Sequence, residues 1–209
     1  MSTFWFVAER GYPSPVMTAI RILFLSASPD DRAYLQVDRE ARAIAQRVRS
    51  SEYPDAIEVI TKPALRPSDL QEALLRHTPH IVHFSGHGQS EGILLEDSNG
   101  QARVVPGPAL AHMFRNLKDN IQVVVFNACF SQEQAREVAD YIDVAVGMGE
   151  AIGDSAAIAF SSAFYMGLGY GRSVQSAFDI GVAELMIEGL VTTISLCSSC
   201  AMASMPTRS

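Results

Sequence analysis

Ile81-Val82-His83-Phe84-Ser85-Gly86-His87-Gly88 and Val123-Val124-Val125-Phe126-Asn127-Ala128-Cys129 are two short apolar runs, each ending abruptly in a residue able to do chemistry. Their β-branched composition suits strands buried on both faces of a parallel sheet. Such sheets place reactive groups just beyond the carboxyl ends of their strands. If the two runs are neighbours, His87 and Cys129 project at one edge, and a thiol beside an imidazole is a nucleophile with its base.

Outward from these runs, strands and helices alternate. Arg21–Ser26 reads as a first buried strand, stopped by Ser28-Pro29-Asp30. Tyr34, Val37, Ala41, Ile44, Ala45 and Val48 then recur at helical spacing, with Arg39, Glu40, Arg42 and Arg47 expected on other faces. Ala56–Thr61 is a short second strand, and Pro67 opens a second helix that Pro79 closes. Asp97-Ser98-Asn99-Gly100 is a turn signal between Glu91–Glu96 and Gln101–Val105, which predicts a hairpin. A helix from Pro106 to Leu117 leads into the strand ending near Asn127. Ser131-Gln132-Glu133-Gln134 matches a capping box, and Ile142–Val146 is a fifth strand. A helix capped by Asp154 is expected to break at Gly167–Gly171, and a last helix spans Ser173–Glu188. Leu190–Leu196 has the composition of a final strand. The class is α/β with a mainly parallel sheet of order 2-1-3-4 and further strands beyond the fourth.

Composition limits the function. A formal charge of −7 argues against a nucleic-acid surface, which needs clustered Lys and Arg. Three cysteines do not make a disulfide framework, and no secretory signal opens the chain, so the expected location is the cytoplasm. The uncharged run Gly189–Thr207 is rich in Ser and Thr and reads as a strand with a loose tail, not a membrane span. The expected organisation is an unassigned extension (1–19), one domain (20–196) and a tail (197–209).

Cys129 lies between a strand end and a helix start, where the helix N-terminus favours thiolate. His87, between Gly86 and Gly88, is poorly explained as core packing, whereas His80 and His83 suit strand residues with satisfied ring nitrogens. Ser85-Gly86-His87-Gly88 resembles the histidine motif of the caspase-like cysteine proteases, and Asn127-Ala128-Cys129 resembles their cysteine motif. The order of the two motifs agrees, as do the hairpin and helix between them. Similarity is greatest to the bacterial CHAT-domain branch, over about residues 20–190, and includes Ser26-Ala27-Ser28-Pro29 and Ala151–Ala157. The resemblance implies a caspase-like three-layer α/β/α sandwich and a cysteine endopeptidase acting on a protein substrate. In it Cys129 is the nucleophile, His87 the general acid–base, and the N–H groups of Gly88 and Cys129 the oxyanion hole.

Neither cofactor nor metal is implied. His83, His87 and Cys129 lack a fourth ligand for zinc. Gly147–Gly153 has the wrong spacing and position for a dinucleotide loop. Asp30 and Asp31 lack the third-strand aspartate of a receiver domain, and Cys197-Ser198-Ser199-Cys200 is a lone CxxC. Control is expected from a separately encoded partner or from self-association, through the sheet edge near Leu196. Glu150 and Asp154, in the loop after the fifth strand, are expected to border the pocket for the residue before the cut and to favour a basic side chain. Asp154 also has a capping role in prospect, while Glu150 has no evident structural task. The alternative is a catalytically silent caspase-like scaffold, and a more distant one a small-molecule hydrolase on a flavodoxin-like frame.

Overall fold

The computed structural model describes residues 19–190 and 192–198. The expected N-terminal extension through residue 18 and the tail from residue 199 lie outside them. A six-stranded sheet has the order β2-β1-β3-β7-β8-β9. Its strands are β1 (Ile20–Ala27), β2 (Ile57–Lys62), β3 (Ile81–Gly86), β7 (Val123–Asn127), β8 (Val144–Met148) and β9 (Ile194–Ser198). The first five run parallel, and β9 is antiparallel to β8. A separate antiparallel sheet contains β4 (Gly88–Gln89), β5 (Gly92–Glu96) and β6 (Ala102–Pro106). The predicted hairpin is β5–β6, and β4 is a third strand that was not foreseen.

Burial on both sides explains the continuous apolar strands. On one face Leu23, Leu25, Val82, Phe84, Val124 and Phe126 pack against α2 (Pro67–His77), α3 (Gly107–Leu117) and α4 (Gln132–Ala139). On the other, Ile22, Phe24, Ile81, Val123 and Val125 meet α1 (Val37–Arg49), α5 (Asp154–Gly169) and α6 (Val174–Ile187). Alternation of side chains along a strand assigns each residue to its face. The result is a three-layer α/β/α sandwich.

Several local expectations need correction. The last strand begins at Ile194 and continues through Cys197 and Ser198, so this cysteine belongs to the sheet and not to a tail. The chain before it is used differently, with Leu190 N–H closing α6 on Leu185 O at 2.8 Å. The α5 helix does end inside the expected break at Gly167–Gly171, at Gly169. The predicted capping box at Ser131 is not made. Its hydroxyl instead meets Phe126 O at 2.9 Å and Ala128 O at 2.7 Å, and accepts Met148 N–H at 3.0 Å. Ser131 therefore pins the turn after β7 to β8.

The largest departure is Glu40, expected on an outer face of α1 and found 3% exposed. Its carboxylate sits between α1, the sheet and α5, among buried polar side chains. Oε1 accepts His83 Nε2–H at 3.0 Å, Asn127 Nδ2–H at 2.6 Å and Ser161 Oγ–H at 2.7 Å. Oε2 accepts Ser85 Oγ–H at 2.6 Å. The other His83 nitrogen, Nδ1, lies 3.0 Å from the Tyr165 hydroxyl, which satisfies both ring nitrogens, as expected. In β3 and β7, Ser85 and Asn127 are register partners. Glu40 thus joins α1, β3, β7 and α5 near the carboxyl end of the sheet.

Burial alone would raise the Glu40 carboxyl, but the hydrogen bonds and charge interaction of His83, with the Ser161 and Ser85 hydroxyls, hold it below its ordinary range. A folded-state pKa below the unfolded value stabilises fully above the unfolded value, and that contribution fades as pH falls through the folded one. Urea titrations should show Glu40→Ala losing about 3–5 kcal/mol, since four donors lose their acceptor. As pH falls through and below the ordinary carboxylate range, wild type should lose more stability than Glu40→Gln, and parallel acid limbs would contradict this assignment.

Candidate active site

The register of β3 and β7 sets the site. Ser85 lies beside Asn127, and two residues further along each chain are His87 and Cys129. Both half-buried side chains line one cleft, with Leu35, Gln36, Glu40, Asn127, Ile152 and Asp154 among its other walls. The predicted pair is thus brought together, although Cys129 and His87 make no direct hydrogen bond with each other. The cavity measures about 30 Å³, room for one or two water molecules.

His87 is held by an atom that the sequence did not reveal. Its Nε2–H donates to Ala33 O at 2.7 Å. That bond leaves the neutral ring's lone pair on Nδ1, the state a proton acceptor requires. Cys129 Sγ lies 3.8 Å from Ile152 O, to which the thiol donates weakly. Ala33 follows the turn at Pro29–Arg32, in a loop without regular structure, so no periodicity marks it.

Gly88 follows the histidine at the point where the two strand ends meet. It has no positive φ, and close approach is the reason it is required. A Cβ there would lie 2.3 Å from Cys129 O and 3.0 Å from Ala128 Cβ. The main chain after the histidine therefore packs directly on that of the cysteine. The positive φ falls on Phe130, at 55°, immediately after Cys129. This left-handed turn, in which Phe130 N–H reaches Glu150 O at 3.3 Å, swings the chain from the strand end into α4.

The two expected pocket carboxylates have separate surroundings. Asp154 lines the cleft, but its side chain makes no helix-capping bond, because α5 starts at Asp154 itself with Gly153 as cap. Its Oδ2 instead accepts Gln36 N–H at 3.2 Å, drawing the 28–36 loop across the opening. Exposed Glu150, expected to lack a structural task, accepts Thr193 N–H at 2.7 Å and does not line the cleft. Asn127 contributes a further polar atom: its Oδ1 is buried without a partner among the described residues. No group of three or more metal-ligating side chains is assembled among those residues, and none of their helices is long and apolar enough to cross a membrane.

Comparison with known proteins agrees with this architecture. A "Probable protease" from Gillisia limnaea is 22% identical over 159 residues, covering 74% of this chain. This chain spans only 28% of that relative's length. A secreted C11 cysteine protease from Bacteroides thetaiotaomicron, solved with an irreversible peptide inhibitor, superposes with a TM-score of 0.65 at 12% identity, covering 90% of this chain and 68% of its own. An inactive zymogen C11 protease from Parabacteroides distasonis gives 0.62 at 13% identity, with 92% and 65% covered. Caspase-1 from Spodoptera frugiperda gives 0.58 at 10% identity, covering 92% of each chain. The fold is therefore caspase-like. The CHAT domain model matches residues 14–179, most of the sequence, and the chain belongs to the CHAT domain family.

Proposed function

We propose that this chain is a cysteine endopeptidase that cleaves a protein substrate by acyl transfer through Cys129. The observation carrying this reading is the shared cleft of Cys129 and His87, with the His87 ring held by Ala33 O in the tautomer that exposes Nδ1. His87 takes the thiol proton, Cys129 sulfur attacks the peptide carbonyl, and the N–H groups of Gly88 and Cys129 receive the oxyanion. Collapse of the tetrahedral intermediate breaks the C–N bond, with the imidazolium returning its proton to the departing amine. Water then enters by the reverse sequence and releases the acid. Family membership and the relative termed a probable protease support the same reading.

Cys129→Ala and His87→Ala should each abolish cleavage while leaving the thermal unfolding transition in place, because nucleophile and base act as a unit. A Cys129→Ala chain cleaving at the wild-type rate ends this proposal. Gly88→Ala should reduce turnover about a hundredfold, through collision with the Cys129 main chain and loss of the aligned N–H.

We also propose that Asp154 selects a basic side chain before the scissile bond. Its carboxylate presents acceptors to the cleft, whose lining contains no Lys or Arg. A peptide library should show Arg or Lys preferred, with Asp154→Ala removing the preference. Glu150→Gln should leave it intact, since that carboxylate is engaged with Thr193. Dominant cleavage after Asp would overturn the assignment.

The narrow opening supports a resting state of low activity, relieved by a partner protein or by self-association. The outer edge of β9, one of the sheet's two edge strands among the described residues, is the proposed contact. Full activity from dilute purified monomer is the contrary result.

A further inference from the structure

The β5–β6 hairpin contacts both the main chain of His87 and the loop that holds its ring. Leu94 N–H on β5 donates to His87 O at 2.9 Å, which fixes the histidine's main chain. The same hairpin also grips the 28–36 loop that holds its ring. Glu96 Oε1 accepts Ser28 N–H at 3.0 Å, and Asp31 Oδ1 accepts Ala102 N–H at 2.8 Å. Asp30 N–H donates to Gly100 O at 2.9 Å.

The turn that makes these contacts is itself stiffened. Asp97 Oδ1 accepts the N–H groups of Asn99 and Gln101, at 2.7 and 3.0 Å. Gly100 adopts φ 77°, the left-handed conformation that the turn requires, with the Asp30 side chain beside it. Within the loop, Ser28 Oγ accepts Leu35 N–H at 3.3 Å, closing the segment that contains Ala33.

We propose that Asp31 and Glu96 are positioning residues for His87. Their carboxylates fasten the loop to the hairpin, and the fastened loop presents Ala33 O to Nε2. Neither carboxylate lines the cleft, so neither is expected to touch substrate. They act through the carbonyl, which selects the ring tautomer and the direction of Nδ1. The loop thereby has two ends with different duties. The hairpin holds Ser28, Asp30 and Asp31, whereas one hydrogen bond joins Gln36 N–H to Asp154 across the cleft.

The catalytic consequence rests on His87 being the base, but the structural claim does not. The test therefore combines imidazole ¹⁵N chemical shifts of His87, which report the tautomer without any substrate, with turnover of a peptide substrate. Wild type should show two well-separated ring-nitrogen shifts with Nε2 protonated. Asp31→Ala with Glu96→Ala should bring the two shifts toward one another. It should also lower kcat about tenfold to a hundredfold while KM changes less than about threefold. Asp31→Asn with Glu96→Gln keeps an acceptor oxygen at each position and should restore both readouts. If the double alanine chain fails to fold, Asp31→Ala alone should give the same displacement in smaller measure. Unchanged ring shifts in a folded alanine variant overturn the proposal, whatever its activity, as does failure of the Asn and Gln forms to rescue. Shifts that move as expected in a chain whose wild type cleaves nothing would retain the positioning role and remove the endopeptidase reading.

Discussion

A single buried carboxylate sets the geometry on which the site depends. Glu40 joins Ser85 to Asn127, and these are the residues two before His87 and two before Cys129. Parallel pairing brings the strand ends together, but pairing alone leaves the side chains beyond them unfixed. An acceptor saturated by four donors in an apolar interior has very few arrangements open to it. Isolating the charge is costly, so the layers can slide little without breaking several bonds at once. Ser161 extends the same constraint to α5, whose first residue is Asp154 at the cleft. Because α1 follows the 28–36 loop directly, fixing Glu40 also fixes where that loop must end.

Close contact of two main chains then brings the reactive groups to one place. Gly88 sits on Cys129 O with no room for a Cβ, and Phe130 turns left-handed directly after the cysteine. A non-glycine residue at positive φ is disfavoured by about 1 kcal/mol or more. Here it lies between two rigid supports. Glu150 O meets the Phe130 N–H, and Ser131 Oγ spans the carbonyls of Phe126 and Ala128 and the Met148 N–H. The turn that follows Cys129 is thus braced from β8 as well as from its own strand.

Features expressed by local composition were legible in the sequence. The buried runs of β1, β3 and β7 have one reading as parallel strands, and the Asp97–Gly100 turn announces its hairpin. The pair of His87 and Cys129 was visible because each ends such a run. Glu40 carries a charge, which marks an outer position, but its spacing is that of the buried face. Positions 37, 40, 44 and 48 share one helical face, so the periodicity that buried Ile44 and Val48 also placed Glu40 inward. Ser131 was misread because a capping box and a strand-to-strand brace begin with the same residue type. Ala33 left no signal at all, since its contribution is a carbonyl that every residue carries. Asp31 and Glu96 were equally silent, their partners being backbone N–H groups about 70 residues away.

The same features bear on the choice between an active protease and a silent scaffold with this fold. A binding scaffold needs the sandwich, and the Glu40 network serves the sandwich in either case. It has no need of a fixed imidazole tautomer or of a cysteine on a strained turn packed against a glycine. Those features constrain individual atoms and add little cohesion. Ala33 is exposed, and its bond to His87 lies at the surface, where a hydrogen bond contributes little net stability. A loop fastened at several points to present one carbonyl is economical as an orienting device and wasteful as reinforcement. The narrow cleft does not reverse this preference, because one bond from Gln36 N–H to Asp154 joins the loop to the far wall. The hairpin's bonds to Ser28, Asp30 and Asp31, which fasten the loop that carries Ala33, are independent of that one.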